Sequence, residues 1–384
     1  MRVAVPRETR SDERRVALVP EAVSRLTKVG LEVAVEPGAG EHARASDDEY
    51  RDAGATVAEE ALDGANVLVS VQPPQGAQVE RLASAAIIVT FLPTANELEL
   101  IRLLRDSGRT AFAMELIPRI SRAQSMDALS SQALAAGYRA TLIAAERLPR
   151  FFPLFMTAAG TVRPAAVLVL GAGVAGLQAV ATARRLGAVV HAYDVRAAAA
   201  EEVRSLGAQF IQLELPTLEG AGGYAREMTE DRANMQRELL APHVADADAL
   251  ITTAAVPGRP APLLVTSDMV KRMKPGSVVV DLGAEQGGNV EGSRPGEEVT
   301  VGDALLIGGR NLPSQLPVQA SQLYAANVTN LLLLMTEEGT VRPDLEDEIL
   351  AGCCITHAGE VRHEATRELL GAAPEGTGQG EEGR

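Results

Sequence analysis

The chain has 384 residues, 46% of them hydrophobic and 3% aromatic, with a formal net charge of -15. That length suits two domains plus a tail. The negative balance, with no basic stripe interleaved with aromatics, excludes nucleic acid as a partner, because a phosphate backbone would be repelled. The opening MRVAVPRETRSDERR carries charges early and has no apolar h-region, which predicts a cytoplasmic protein. Strand patterns at residues 3–5, 31–35, 67–71, 86–91 and 110–116 alternate with helical patterns at 20–29, 46–53, 78–84 and 96–107, with Pro20 and Asn96 as start signals. This predicts a doubly wound parallel sheet without a glycine fingerprint.

Residues 125–148 read as one long helix, closed by Pro149 and Pro153. A second α/β unit follows, with strands at 167–170, 189–193, 209–213, 249–253, 277–282 and 304–308. Residues 321–335 (SQLYAANVTNLLLLM) read as a buried helix, and so little chain lies beyond it that it is expected to return to the first domain. The fold class expected is α/β: two Rossmann-like, doubly wound parallel-sheet domains with a cleft between them. Their bounds are residues 1–128 with 317–370, then 129–316, and the Gly- and Glu-rich residues 371–384 form a disordered tail. Two uncharged stretches, 164–183 and 311–336, read as buried structure rather than bilayer crossings. Cys353 and Cys354 are adjacent and the five histidines lack ligand spacing, so no metal site is expected.

Residues 167–196, VLVLGAGVAGLQAVATARRLGAVVHAYDVR, run strand, glycine turn, helix, strand, acid, the order a dinucleotide site requires. Gly171 allows the tight turn. Gly173 lets backbone N–H groups approach a pyrophosphate at the helix N-terminus, and Gly176 lets helix and strand pack closely. Asp194, 23 positions after Gly171, is placed to accept hydrogen bonds from the adenosine ribose. A carboxylate there repels the 2′-phosphate of NADP and favours NAD. Arg196 acts against that preference, since a nearby Arg accommodates such a phosphate.

Two loops carry polar side chains. Residues 118–130 gather Arg119, Ile120, Ser121, Arg122, Gln124, Asp127 and Ser130. They read either as a binding loop or as a plain helix N-terminus with Ser125 as cap and Asp127 in the first turn. Residues 216–228 (PTLEGAGGYAREM) are long and glycine-rich and carry Tyr224, which reads as a lid over a nucleotide or as a surface loop with no role.

The segments PRISRAQSMDALSSQ, MTAAGTVRPAAVLVLGAGVAGLQAVATARRLGAVVHAYDVRA, AGGYAREM and KPGSVVVDLGAEQGG together resemble the NAD(H)-binding alpha subunit of proton-translocating nicotinamide nucleotide transhydrogenase. The opening VPRETRSDERRVALVPEAV is shared more widely with alanine dehydrogenase. The resemblance implies that Arg119, Gln124, Asp127 and Ser130 hold the nicotinamide and its ribose, with Gln124 also facing a second nucleotide. It implies that Ala172, Gly173 and Val174 form the pyrophosphate turn, and Asp194, Val195 and Arg196 the adenosine end. Gly223, Tyr224 and Gln236 match the mobile loop and its following helix, and Ala255 lies in the matching TTAAVPG turn. It further implies a homodimer that presents NADH to NADP held on a partner subunit. Proton translocation would lie in membrane subunits, and this chain would be peripheral on the cytoplasmic face.

Alanine dehydrogenase is the alternative enzyme. Reducing an imino acid moves a proton as well as a hydride, so that family supplies a Lys and a His beside the substrate. Here Gln72 stands where the Lys would be and Pro93 where the His would be, and its substrate-site aspartate falls at Glu285. Neither Gln nor Pro exchanges a proton near neutral pH, whereas a nicotinamide-to-nicotinamide transfer requires no proton at all. Arg119, Gln124 and Asp127 are therefore expected to position rings rather than act as acids or bases. Arg15 is common to both families and receives no role. A non-catalytic NAD-binding module is the third reading.

Overall fold

The computed structural model describes residues 1–214, 230–255 and 259–372. The chain divides into two compact units, Met1–Ser131 with the segment from Pro317 onward, and Gln132–Leu316. The first opens with β1 (Arg2–Val5), β2 (Glu32–Val35), β3 (Thr56–Val57), β4 (Val67–Val69), β5 (Ile87–Thr90) and β6 (Thr110–Ala113). The second holds a hairpin, β7 (Phe155–Thr157) and β8 (Gly160–Val162), then β9 (Ala166–Leu170), β10 (Val189–Tyr193), β11 (Gln209–Phe210), β12 (Ala249–Thr252), β13 (Val278–Asp281), β14 (Glu298–Val301) and β15 (Ala304–Gly308). Back in the first unit come β16 (Thr336–Glu337), β17 (Thr340–Val341), β18 (Cys354–His357) and β19 (Glu360–Val361).

The first unit's sheet runs β3-β2-β1-β4-β5-β6-β18-β19. It is parallel from β3 to β6, and β18 and β19 add an antiparallel edge. Its central strands are Val- and Ile-rich and buried along their length, as a parallel sheet covered on both faces demands. Helix Pro20–Lys28 begins on a proline that needs no hydrogen-bond acceptor and buries Ala22, Val23 and Leu26 at helical spacing. Helix Pro317–Leu334 is apolar on nearly every side, and it buries Tyr324, Ala325, Val328, Leu331 and Leu332 in the core around β1, β2 and β4. Ser321 fastens it there, its hydroxyl accepting from Val16 N at 3.0 Å.

The second unit's sheet runs β11-β10-β9-β12-β13-β15-β14, parallel throughout except where β14 meets β15. Both sheets are thus mixed at an edge. β3, β14, β18, β19 and the β7–β8 hairpin escape a sequence reading because most are too short to show a two-residue period. The β18–β19 turn uses Ala358 and Gly359 at positive φ (48° and 84°), without the Asn-Gly or Asp-Gly pair that marks such turns. Residues 114–116 leave the strand as a 3-10 turn. Gly371 and Ala372, assigned by composition to the tail, close helix Glu364–Ala372, whose Leu370 packs on the first unit's core; residues 373–384 lie outside the described residues.

Helix Ala128–Arg147 and helix Val174–Arg185 touch through backbone in the second unit: a Cβ on Gly137 would lie 2.0 Å from Ala175 O. Gly137→Ala is expected to destabilise this unit by about 2 kcal/mol through overpacking. Thermal unfolding checks it, with Gly371→Ala as control, since a Cβ there meets nothing within 4 Å.

Candidate functional site

In the second unit β9 lies between β10 and β12, so the chain leaves β9 in one direction and later returns on its other side. Such a switch point opens a crevice at the carboxyl ends of the strands. The turn Gly171–Gly173 sits there. Gly171 adopts φ +99°, a conformation other residues rarely take, and a Cβ on Gly176 would lie 1.8 Å from Gly171 O. That contact brings the start of helix Val174–Arg185 onto the end of β9. A Cβ on Gly173 would meet nothing within 4 Å, so the backbone faces open space where the helix has unpaired N–H groups. Open space beside helix-terminal amides fits a pyrophosphate.

Asp194 is tied to the same turn. Its Oδ2 accepts from Ala172 N (2.7 Å) and Arg196 Nη2 (3.1 Å), and its Oδ1 accepts from Arg196 N (2.9 Å) and Nε (3.0 Å). Arg196 Nη2 also donates to Ala172 O at 3.1 Å. Four donors fill a carboxylate's acceptor capacity, so a ribose hydroxyl must displace one of them. The carboxylate is also partly neutralised by Arg196, which sequence order alone does not reveal.

The other predicted residues of this unit fall differently. Val174 and Ala255 are exposed, and Val195 is half-buried against the core. Gln236 is buried, and its Nε2 donates to Tyr193 Oη at 2.9 Å, which engages it with the end of β10. Thr253 is a residue that the sequence motifs do not single out. Its hydroxyl donates to Gly171 O at 3.1 Å and ties the turn carrying Ala255 to the glycine turn. Gly223 and Tyr224 lie outside the described residues.

In the first unit the loop 118–130 is fastened at three points. Arg122 pairs bidentately with Asp347 (2.6 and 3.0 Å), whose Oδ1 also caps helix Glu348–Cys353 through Ile349 N. Ser125 does not cap the long helix; its carbonyl accepts from Asn327 Nδ2 (2.9 Å) and Asn330 Nδ2 (3.0 Å). Residues 121–126 form a 3-10 helix, and the cap is Asp127, whose carboxylate accepts from Ser130 N (2.9 Å) and Ser130 Oγ (2.5 Å). Ile120 packs on the core, while Arg119, Ser121 and Gln124 remain exposed.

The first unit has its own switch point, between β1 and β4, and buried charges occupy it. Arg15 and Glu13 pair there (Nη2–Oε2 2.6 Å, Nε–Oε1 2.8 Å), and Gln72 Nε2 donates to Glu13 Oε2 at 2.7 Å. Glu8 accepts from Val71 N (2.6 Å) and Gln72 N (3.2 Å), and Tyr324 Oη donates to Ser70 O at 2.8 Å. A cavity of about 320 Å³ is lined by residues of the 7–15 loop and by Gly38, Ala39, Glu41 and His42. Glu8 and Glu13 lie in the opening motif, yet nothing in it pairs them with Gln72 or Tyr324. Pro93 is exposed, and Glu285, in the second unit, accepts from Asn311 N at 3.0 Å.

Burial pushes the Glu8 carboxyl up to about 8 against its two backbone donors, and burial likewise raises Glu115 to about 7. Burial also acts on Glu13, but its bonds and attraction to Arg15, with Gln72, outweigh it and hold Glu13 at about 2. Among the described residues, no group of three His, Cys, Asp or Glu could hold a metal ion, and no helix is long and apolar enough to cross a membrane.

Two domain descriptions match: alanine dehydrogenase/PNT, N-terminal domain, over residues 4–136, and alanine dehydrogenase/PNT, C-terminal domain, over 140–364. The chain belongs to the alanine dehydrogenase/PNT family. It is 47% identical to an NAD(P) transhydrogenase alpha-subunit polypeptide of Rhodospirillum rubrum, across 95% of this chain and 98% of that protein. It is 32% identical to the alanine dehydrogenase of Mycobacterium tuberculosis, across 97% of each. The solved transhydrogenase of Sinorhizobium meliloti superposes with a TM-score of 0.86 at 44% identity, covering 94% of this chain and all of that one (100%). A solved L-alanine dehydrogenase gives 0.80 at 26% identity, covering 97% and 99%. The two Rossmann-like sheets are therefore this family's fold.

The carboxyl shifts carry a stability consequence. Folded protein keeps a proton on Glu8 that the unfolded chain releases above its ordinary 4.5, so stability falls as pH rises from 4.5 to about 8. Glu115 adds the same sign up to about 7, whereas Glu13 stabilises above 4.5 and loses that contribution as pH falls towards about 2. Glu8→Gln is expected to flatten the decline of Tm between neutral pH and about 8. Melting curves across that range check it; a variant slope equal to the parent's would contradict it.

Proposed function

We propose that this chain is the NAD(H)-binding subunit of a proton-translocating transhydrogenase, passing hydride between NADH and NADP+ carried by a partner subunit. Higher identity to transhydrogenase alpha subunits (47%) than to alanine dehydrogenase (32%) supports this reading. The observation that carries it is the state of Gln72. Its amide is donated to Glu13, itself paired with Arg15, so the position that would hold an ammonium in an amino-acid dehydrogenase is a neutral group inside an internal network. Glu8 titrates near neutrality, but both its oxygens accept main-chain amides.

Bound nucleotide supplies a hydride from C4 of its dihydronicotinamide. The chain's own residues bind and orient. Gly171–Val174 hold the pyrophosphate, and Asp194, Val195 and Arg196 hold the adenosine end, with Ala255 in the neighbouring turn. Arg119, Gln124, Asp127 and Ser130 set the nicotinamide and its ribose, and none of them moves a proton. Catalysis is then positioning of two rings at near-attack distance.

We further propose a homodimer, peripheral on the cytoplasmic membrane face through partner subunits. The β7–β8 hairpin supports the dimer. Phe151, Leu154, Phe155, Met156 and Val162 are all exposed on or beside it, and an isolated two-stranded hairpin is marginal in water.

Supplying NADH with pyruvate and ammonium, or with an NADP+-loaded partner domain, separates the enzymes. Oxidation only with the partner is expected, and rapid oxidation with pyruvate and ammonium would overturn the proposal. Gln124→Asn is expected to slow transfer by about tenfold or more while changing NADH affinity by less than about threefold. Stopped-flow transfer and NADH fluorescence titration measure the two.

A further inference from the structure

Asp281, at the end of β13, is fully buried and takes four donors. Its Oδ1 accepts from Thr252 Oγ1 (2.8 Å) and Gly283 N (2.9 Å), and its Oδ2 accepts from Asn289 N (3.0 Å) and Val290 N (3.2 Å). This carboxylate folds the 283–290 segment back on the sheet end and seats Asn289 out of solvent. Asn289 Nδ2 then donates to two carbonyls, Ala254 O and Pro262 O, each at 2.8 Å. The first of those carbonyls directly precedes Ala255. One residue earlier, Thr253 reaches Gly171 O, where the pyrophosphate turn begins. Two acceptors aimed at one atom require an NH₂; a carboxylate of the same shape would set a negative oxygen against both carbonyls.

We propose that Asn289 is a positioning residue for NAD(H), fixing the Ala254–Ala255 turn against the glycine turn without itself contacting nucleotide. This deepens the reading of the second unit as the NAD(H) site and rests on it. Loss of the amide frees both carbonyls and lets the turn drift, so affinity falls even while the fold persists.

The test uses the full chain with NADH fluorescence titration, thermal unfolding, and KM and kcat for NADH against an NADP+-loaded partner. Asn289→Ala is expected to raise the NADH Kd about tenfold at temperatures well below its Tm, and Asn289→Asp to raise it further. Asn289→Ser keeps one donor in the pocket and is expected to fall between parent and alanine; it also serves if Asn289→Ala does not fold. Thr141→Val is the control, because Thr141 is equally buried in the same unit and bonds only helix carbonyls. It should lower Tm and leave Kd unchanged. Folded Asn289 variants that bind NADH like the parent would overturn the proposal, as would an equal loss in Thr141→Val. Failure of the parent chain itself to bind NADH would instead remove the functional reading beneath it.

Discussion

The proposed nucleotide site depends on one steric constraint, the approach of Gly176 to the carbonyl of Gly171. A Cβ there would lie 1.8 Å from that oxygen, so only glycine lets the helix start directly on the strand end. Everything nearby presupposes this closeness. Asp194 reaches Ala172 N because the turn is tight, and Thr253 reaches Gly171 O because the turn lies against the end of β12. The resulting turn presents backbone amides to open space beside Gly173, which offers an anion oriented dipoles.

The first unit uses the same kind of sheet to the opposite end. Its switch point holds Glu13, Arg15, Gln72 and Glu8, all satisfied by one another or by backbone. Burying the Glu13–Arg15 pair sacrifices much hydration, and the bidentate geometry with Gln72 on the remaining lone pair offsets that cost. Removing Glu13 or Arg15 alone would strand a buried charge, so those two are held as a pair. A crevice furnished in this way keeps Glu13, Arg15 and Gln72 engaged with one another, which accords with the proposal that the chemistry needs orientation rather than proton exchange.

Features set by local chain geometry are legible in the sequence. The glycine turn, the acid after β10 and the apolar helix ending at Leu334 each depend on neighbours within about thirty residues. What escapes depends on distant partners. Ser125 and Asp127 both satisfy the rules for a helix cap, and the choice falls to Asp127 because Asn327 and Asn330, some two hundred residues on, hold the Ser125 carbonyl. Arg122 looks like a ligand contact in its loop, yet Asp347 lies bidentate against it. Asp194 reads as a free carboxylate; Arg196 is visible two residues on, but its wrapping of both oxygens is not. Gln236 and Asn289 show the same limit, since a buried amide reads like any other polar residue until its acceptors are known.

The central claim is that hydride passes directly between nicotinamides with no proton exchanged through this chain. Its most direct test is a single turnover of NADH deuterated at C4 with an NADP+-loaded partner, run in ordinary water and analysed by mass. With both C4 hydrogens of NADH replaced by deuterium, the account predicts one deuterium in each NADPH and the other retained in NAD+. Deuterium lost to solvent, or NADPH carrying hydrogen from water, would contradict it.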